Sequence, residues 1–175
     1  QGHILINSDY EETVPVIRAA VEKLGFKFTD IKILLGSHAH PDHMTGDAMV
    51  KQLTGATVMA MEEDVSALNN IRPGGKPHPI DRVLHDGDTV SLGGTTLTAH
   101  LTPGHTKGCT TWTFKTTENG KTYDVVVDQV AAALAGSPAV AAQMDVAAVA
   151  MPFELGLGHI GDDMAKAAAL MTGTT

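Results

Sequence analysis

Three imidazoles and a carboxylate fall within six residues at His38-Ala39-His40-Pro41-Asp42-His43, directly after the apolar run Ile31–Leu35 and the pair Gly36-Ser37. Any fold open to this chain must set those side chains at the end of a buried segment. Histidines crowded so closely gain nothing from proximity, and each one protonated repels the others. A divalent cation converts the same crowding into binding energy. The plain alternative is a histidine-rich surface turn, which leaves the density of ligands without a cause.

The spacing divides the cluster into two sets. If the chain leaves a strand and stays extended, His38 and His40 point the same way, because side chains alternate with a period of two. They can then clasp one ion. Pro41 redirects the backbone, so Asp42 and His43 can face a second ion beside the first. Imidazole nitrogen and carboxylate oxygen suit zinc, with manganese, iron or cobalt as chemically permitted substitutes. A further ligand lies downstream in Leu101-Thr102-Pro103-Gly104-His105-Thr106, where proline and glycine force a turn at the end of an alternating strand, residues 95–102. His105 is lifted out of the sheet by that turn. Alone it would read as a solvated loop residue; beside the first cluster it reads as a ligand.

The periodicities describe an α/β chain. Val14, Ile17, Val21 and Leu24 recur at helical spacing, with Pro15 tolerated in the first turn and Gly25 ending the run. Residues 1–7, Ile31–Leu35 and residues 56–60 read as strands, with helices over residues 44–53 and Glu62–Leu68. From Asp81 onward the pattern becomes strands joined by Asp86-Gly87, Gly93-Gly94 and Asn119-Gly120, which are hairpin signals and predict an antiparallel half. Residues 72–79 hold four prolines and glycines in their first six positions and predict a surface loop, a secondary candidate for shaping a pocket. His3, His78, His85 and His100 are read as solvated or hydrogen-bonded rather than ligating, so replacing His78 is expected to leave metal binding nearly intact. Trp112 is read as core packing.

Composition sets outer limits. Twelve basic against twenty acidic side chains give a net charge of −8, which argues against nucleic acid as a partner. No apolar run is long enough to cross a membrane, and no charged-then-apolar leader opens the sequence. The single Cys109 cannot form an internal disulfide.

The motifs His38-Ala39-His40-Pro41-Asp42-His43 and Thr102-Pro103-Gly104-His105 together resemble the signature of the metallo-β-lactamase fold. Gly36-Ser37-His38-Ala39-His40, Asp86-Gly87-Asp88-Thr89-Val90 and the run from Leu101 through His105-Thr106-Lys107-Gly108-Cys109 to Trp112 resemble the class B, subclass 3 β-lactamases. The resemblance covers roughly residues 2–127. It implies an αββα sandwich with the metals at one edge between two sheets, here one domain over residues 1–175, truncated at its N-terminus and shortened near its C-terminus. Carried over residue by residue, it implies two zinc ions: His38, His40 and His105 on the first, and Asp42, His43 and His159 on the second. His159 departs from the family's local pattern, standing in Leu155-Gly156-Leu157-Gly158-His159.

The activity implied is opening of the β-lactam amide by a zinc-held hydroxide, since zinc lowers the pKa of its water to about 7. Asp42 is the catalytic residue that orients that hydroxide. The substrate would be a small molecule and the location periplasmic or secreted. Asp128, after a strand over residues 123–127, either bridges the two metals, as in thioester hydrolases of the glyoxalase type, or caps a following helix. A bridging role would favour hydrolysis of a thioester, lactone or phosphoester. An inactive zinc-binding scaffold is the reading from outside the enzymes. The alanine- and valine-rich tract 129–151 suggests no function.

Overall fold

The computed structural model describes residues 2–127. Within them, eight strands form two four-stranded sheets. The first sheet is parallel, in the order β1 (His3–Ile6), β2 (Ile31–Leu35), β3 (Thr57–Met61) and β4 (Arg82–Leu84). The second is an antiparallel meander of β5 (Thr89–Leu92), β6 (Thr95–Leu101), β7 (Thr110–Glu118) and β8 (Lys121–Val127). Helix α1 (Val14–Lys23), the single turn α2 (Pro41–Met44), α3 (Asp47–Thr54) and α4 (Glu62–Leu68) connect the parallel strands.

The parallel strands are apolar on both faces because both are covered. Ile33, Leu35, Met59, Met61 and Leu84 face the second sheet and meet Val90, Leu97, Ala99 and Trp112. On the other face, Leu34, Val58 and Val50 of α3 pack with Val14 of α1 and Phe28. Ala60 packs with Met44 and Leu68 of α4. Among the described residues this gives helices, parallel sheet and antiparallel sheet in that order. A second helical layer, required by the full αββα order, is not among them.

The glycine pairs do what their chemistry predicts. Gly93 and Gly94 both take positive φ, 60° and 91°, between the paired residues Leu92 and Thr95. Asn119 and Gly120, at 50° and 77°, do the same between Glu118 and Lys121. Two consecutive positive φ angles match the right-handed twist of the flanking strands.

Four expectations are corrected. The antiparallel half begins at β5, not at Asp81, because β4 pairs parallel with β3. Asp86-Gly87 is therefore no hairpin; it carries the chain from one sheet to the other, Gly87 donating to the Ala99 carbonyl. The helix expected over residues 44–53 divides into α2 and α3. Its break has a packing cause: the Gly46 N–H is taken by the Asp9 carbonyl, and a Cβ at Gly46 would lie 2.6 Å from the Ser8 carbonyl oxygen. The strand expected at residues 56–60 runs one residue later, as β3.

Trp112 lies fully buried at the centre of the inter-sheet core. Trp112→Ala should lower the unfolding free energy by about 3–5 kcal/mol, the range for aromatic truncation in a core. Urea denaturation would show this as a lower midpoint at unchanged slope; an unchanged midpoint would mean the two sheets do not depend on this contact.

Candidate metal centre

Strand β2 ends at Leu35, and its continuation through residues 36–40 carries the first two histidines past the C-terminal edge of the parallel sheet. Ligand sites in open α/β sheets recur at that edge. The segment is not extended as expected. His40 donates its backbone N–H to the His38 carbonyl at 3.0 Å, so the chain turns at Ala39. The two rings meet nonetheless, centroids 4.9 Å apart. Pro41 then opens α2 at its first position, where its missing N–H costs nothing.

The other loop joins β6 to β7. Thr102 donates to the Cys109 carbonyl at 2.8 Å and closes residues 102–109 into a tight excursion. His105 stands on it, with ring centroids 4.7 Å from His38 and 4.4 Å from His40. One ligand atom from each of His38, His40 and His105 can be chosen so that all three lie within 4.8 Å of one another. His38 is buried, His40 half-buried and His105 exposed, so the group opens to solvent on the His105 side.

The residues fit a metal by an observation independent of their number. The Ser37 hydroxyl donates to Asn7 Oδ1 at 2.9 Å, and its oxygen lies 3.2 Å from His38 Nδ1. A hydroxyl has one proton to give. Ser37 therefore accepts from His38 Nδ1–H, leaving Nε2 with a free lone pair. That Nε2 is buried without a hydrogen-bond partner. Burial first, and then the neighbouring His43, His105 and His40, push the His38 pKa down from 6.5 to about 3, with Asp42 opposing. The ring is held neutral, which is the ligating form.

His43 is buried on α2, its ring centroid 3.9 Å from that of His38, and Asp42 Oδ2 lies 3.6 Å from His43 Nε2. Burial lowers the His43 pKa, with Asp42 pulling the other way. Asp42 is exposed. These two residues stand beside the three-histidine group without joining it. His159 and Asp128 lie outside the described residues.

One residue central to this geometry has no signal in the sequence. Asp64, in the first turn of α4, is buried and accepts three hydrogen bonds. Ala39 N–H and the Thr106 hydroxyl reach Oδ2 at 2.8 and 2.7 Å, and Gly108 N–H reaches Oδ1 at 2.8 Å. Ala39 sits between His38 and His40, and Thr106 follows His105. A single carboxylate thus fastens both ligand-bearing loops together. Gly108 is required for the approach, since a Cβ there would lie 2.6 Å from Asp64 Cγ. From the sequence, Glu62-Glu63-Asp64 is only an acidic run at a helix start, where carboxylates are favoured generally. A second correction concerns His78. It is a hydrogen-bonded histidine, as expected, but buried against Asp47 at 3.0 Å, so its replacement cannot be neutral.

Comparison with known proteins agrees with this geometry. The family model of the metallo-beta-lactamase superfamily matches residues 10–117. The native FEZ-1 metallo-beta-lactamase from Legionella gormanii is 52% identical at a TM-score of 0.66, over 72% of this chain and 52% of that one. The subclass B3 metallo-beta-lactamase BJP-1 of Bradyrhizobium japonicum is 38% identical at a TM-score of 0.67, over 73% and 52%. A hydroxyacylglutathione hydrolase of Hyphomonas neptunium is 36% identical over 93 residues, which are 53% of this chain and 32% of that protein. The matches thus span about half the length of the solved structures and about a third of the curated relative. With two facing sheets, the three-histidine group at their edge and a family match over most of the described residues, this chain belongs to the metallo-beta-lactamase superfamily.

Proposed function

We propose that the chain is a zinc-dependent hydrolase that opens the amide bond of β-lactams. The observation that carries this is the 52% identity to a metallo-beta-lactamase over 72% of this chain. His38, His40 and His105 are the residues for a first ion, and Asp42 and His43 contribute to a second, with His159 as its remaining ligand. When bound, zinc polarises a carbonyl and makes water nucleophilic near neutral pH. The chain's own groups do the rest. The three imidazoles would hold the ion from the buried side and leave the His105 side open to substrate. Asp42, half of whose side chain is accessible and which lies next to His43, orients the attacking water and takes its proton. The substrate is a small molecule, and a periplasmic or secreted location accords with this reaction.

A second reading, thioester hydrolysis, is favoured by the likeness to hydroxyacylglutathione hydrolases. The two part on substrate. Turnover of a carbapenem and a cephalosporin at saturating zinc, abolished by chelator, is the expected result. Turnover of an acylglutathione thioester but neither β-lactam would replace the first reading with the second. His40→Ala should abolish hydrolysis and weaken zinc binding; retained turnover would remove His40 from the ligand set.

Asp64→Asn keeps the shape but turns an N–H donor toward donors. It should weaken zinc binding by about 10- to 100-fold, as outer-sphere changes do. Chelator competition measures this, and unchanged affinity would mean the loops hold their spacing without it.

The metal-free protein should lose stability as pH falls from 6.5 toward 3. In that window the unfolded His38 takes up a proton that the folded ring, with its pKa near 3, refuses. Thermal unfolding in chelator should show a midpoint falling through this range, and a smaller fall in a His38→Phe variant. Equal slopes in the two proteins would assign the effect to other groups.

A further inference from the structure

Outside the metal centre, the described residues hold one buried polar chain that the proposed reaction does not use. It begins in the proline- and glycine-rich loop, residues 72–79, which is pinned by the buried Pro73 and His78 while the residues between them are exposed. His78 Nε2 lies 3.0 Å from Asp47 Oδ2, with side-chain exposures of 0% and 1%. The other oxygen of Asp47 accepts the Ser8 hydroxyl at 2.5 Å. That same hydroxyl oxygen is 3.3 Å from the His43 carbonyl, but its one proton goes to the shorter contact with the carboxylate. Ser8 grips His43 instead through its backbone, its N–H donating to the His43 carbonyl at 2.9 Å, joined by Asp9 N–H at 3.2 Å.

What this chain holds is mechanically weak by itself. Helix α2 has four residues, too few to persist alone. The His43 carbonyl stands at its end, just before the chain breaks at Gly46. Its partners come from the segment after β1, in which Asn7 and Asp9 both take left-handed φ, 63° and 58°. That conformation needs anchoring even for the residue types that tolerate it best. Ser8 between them supplies the anchor, and Asp47 fixes Ser8. The same segment reaches the start of the ligand loop, where Asn7 Oδ1 accepts the Ser37 N–H and hydroxyl, both at 2.9 Å. Residues 7–9 therefore bracket the histidine loop at both ends.

We propose that His78, through Asp47 and Ser8, is a positioning residue that sets where His43 stands, so that the 72–79 loop determines binding of the second metal ion. The inference rests on the reading of His43 as a second-site ligand. Without His78, Asp47 Oδ2 is left buried and unpaired, and a buried carboxylate relieves that by turning or by admitting water. Either releases Ser8, and with it the His43 carbonyl. The three-histidine group has a second fastening outside this route, since Asp64 holds Ala39 and Thr106 without touching residues 7–9, so loosening that segment falls chiefly on His43.

The test is zinc and cobalt(II) titration of the chelator-stripped full chain, comparing it with His78→Leu and His78→Gln. Dissociation constants come from competition with a chromophoric chelator, and the cobalt(II) d–d spectrum reports the geometry of each site. Leucine should weaken the second equivalent by about 10- to 100-fold and alter its spectrum, while the first equivalent, held also by Asp64, changes much less. Glutamine, whose amide can donate to Asp47, should restore most of the second. If the leucine variant fails to fold, Ser8→Ala cuts the same chain at its other end and should likewise weaken the second equivalent much more than the first.

An unchanged second equivalent in folded His78→Leu, or equal weakening of both, overturns the proposal alone. A wild-type chain that binds one ion only removes His43 as a ligand and takes the proposal with it.

Discussion

The carboxylate of Asp64 is the constraint on which the candidate site depends. A buried charge is tolerated only where enough donors surround it. Here the donors are Ala39 N–H, Gly108 N–H and the Thr106 hydroxyl, drawn from loops on two different sheets. Any arrangement that parts those loops strands the carboxylate. The loops are therefore held in register by the same interaction that makes burial of Asp64 acceptable, and a backbone bond from Thr110 N–H to the Ser37 carbonyl at 2.8 Å adds a direct link between the sheets. The position of His105 relative to His38 and His40 follows from this frame rather than from the metal.

That frame holds the imidazoles in a state that favours a cation. His38 donates its Nδ1–H to the Ser37 hydroxyl oxygen and keeps Nε2 unpartnered inside the protein. An unpaired buried acceptor and three neighbouring rings are unfavourable for the folded chain on their own. A divalent ion removes both costs at once, which is the thermodynamic sense in which a preformed site binds tightly. The gradient from buried His38 to exposed His105 also gives the site a direction, with the protein on one side and solvent on the other.

The three-histidine group was legible because its chemistry is local. His38 and His40 declare themselves by crowding, and His105 by a Pro-Gly turn, all within windows of a few residues. Gly93-Gly94 and Asn119-Gly120 were legible for the same reason, since a two-residue turn carries its own backbone requirement. Asp86-Gly87 misled because the same dipeptide serves a crossing between sheets, and nothing nearby distinguishes the two uses. Likewise the break at Gly46 depends on Ser8 and Asp9, far away in sequence, and the helical periodicity through Met44 gave no sign of it. Asp64 stands in a run of three acids at a helix start, each explicable by the helix alone.

The parts that stayed hidden share a physical character. Asp64 acts on residues 25 to 44 positions away, and Asp47 on partners 31 and 39 positions away. Such contacts exist only after the sheets have assembled, so no local pattern can encode them. They are also the contacts that turn a list of ligands into a geometry. Two fastenings, Asp64 on Ala39 and Thr106 and the Ser8–Asp47 pair behind the His43 carbonyl, thus brace the histidine loop from different sides. The loop over residues 72–79, remote in sequence from these histidines, is joined to them through His78 and the Ser8–Asp47 pair rather than through Asp64.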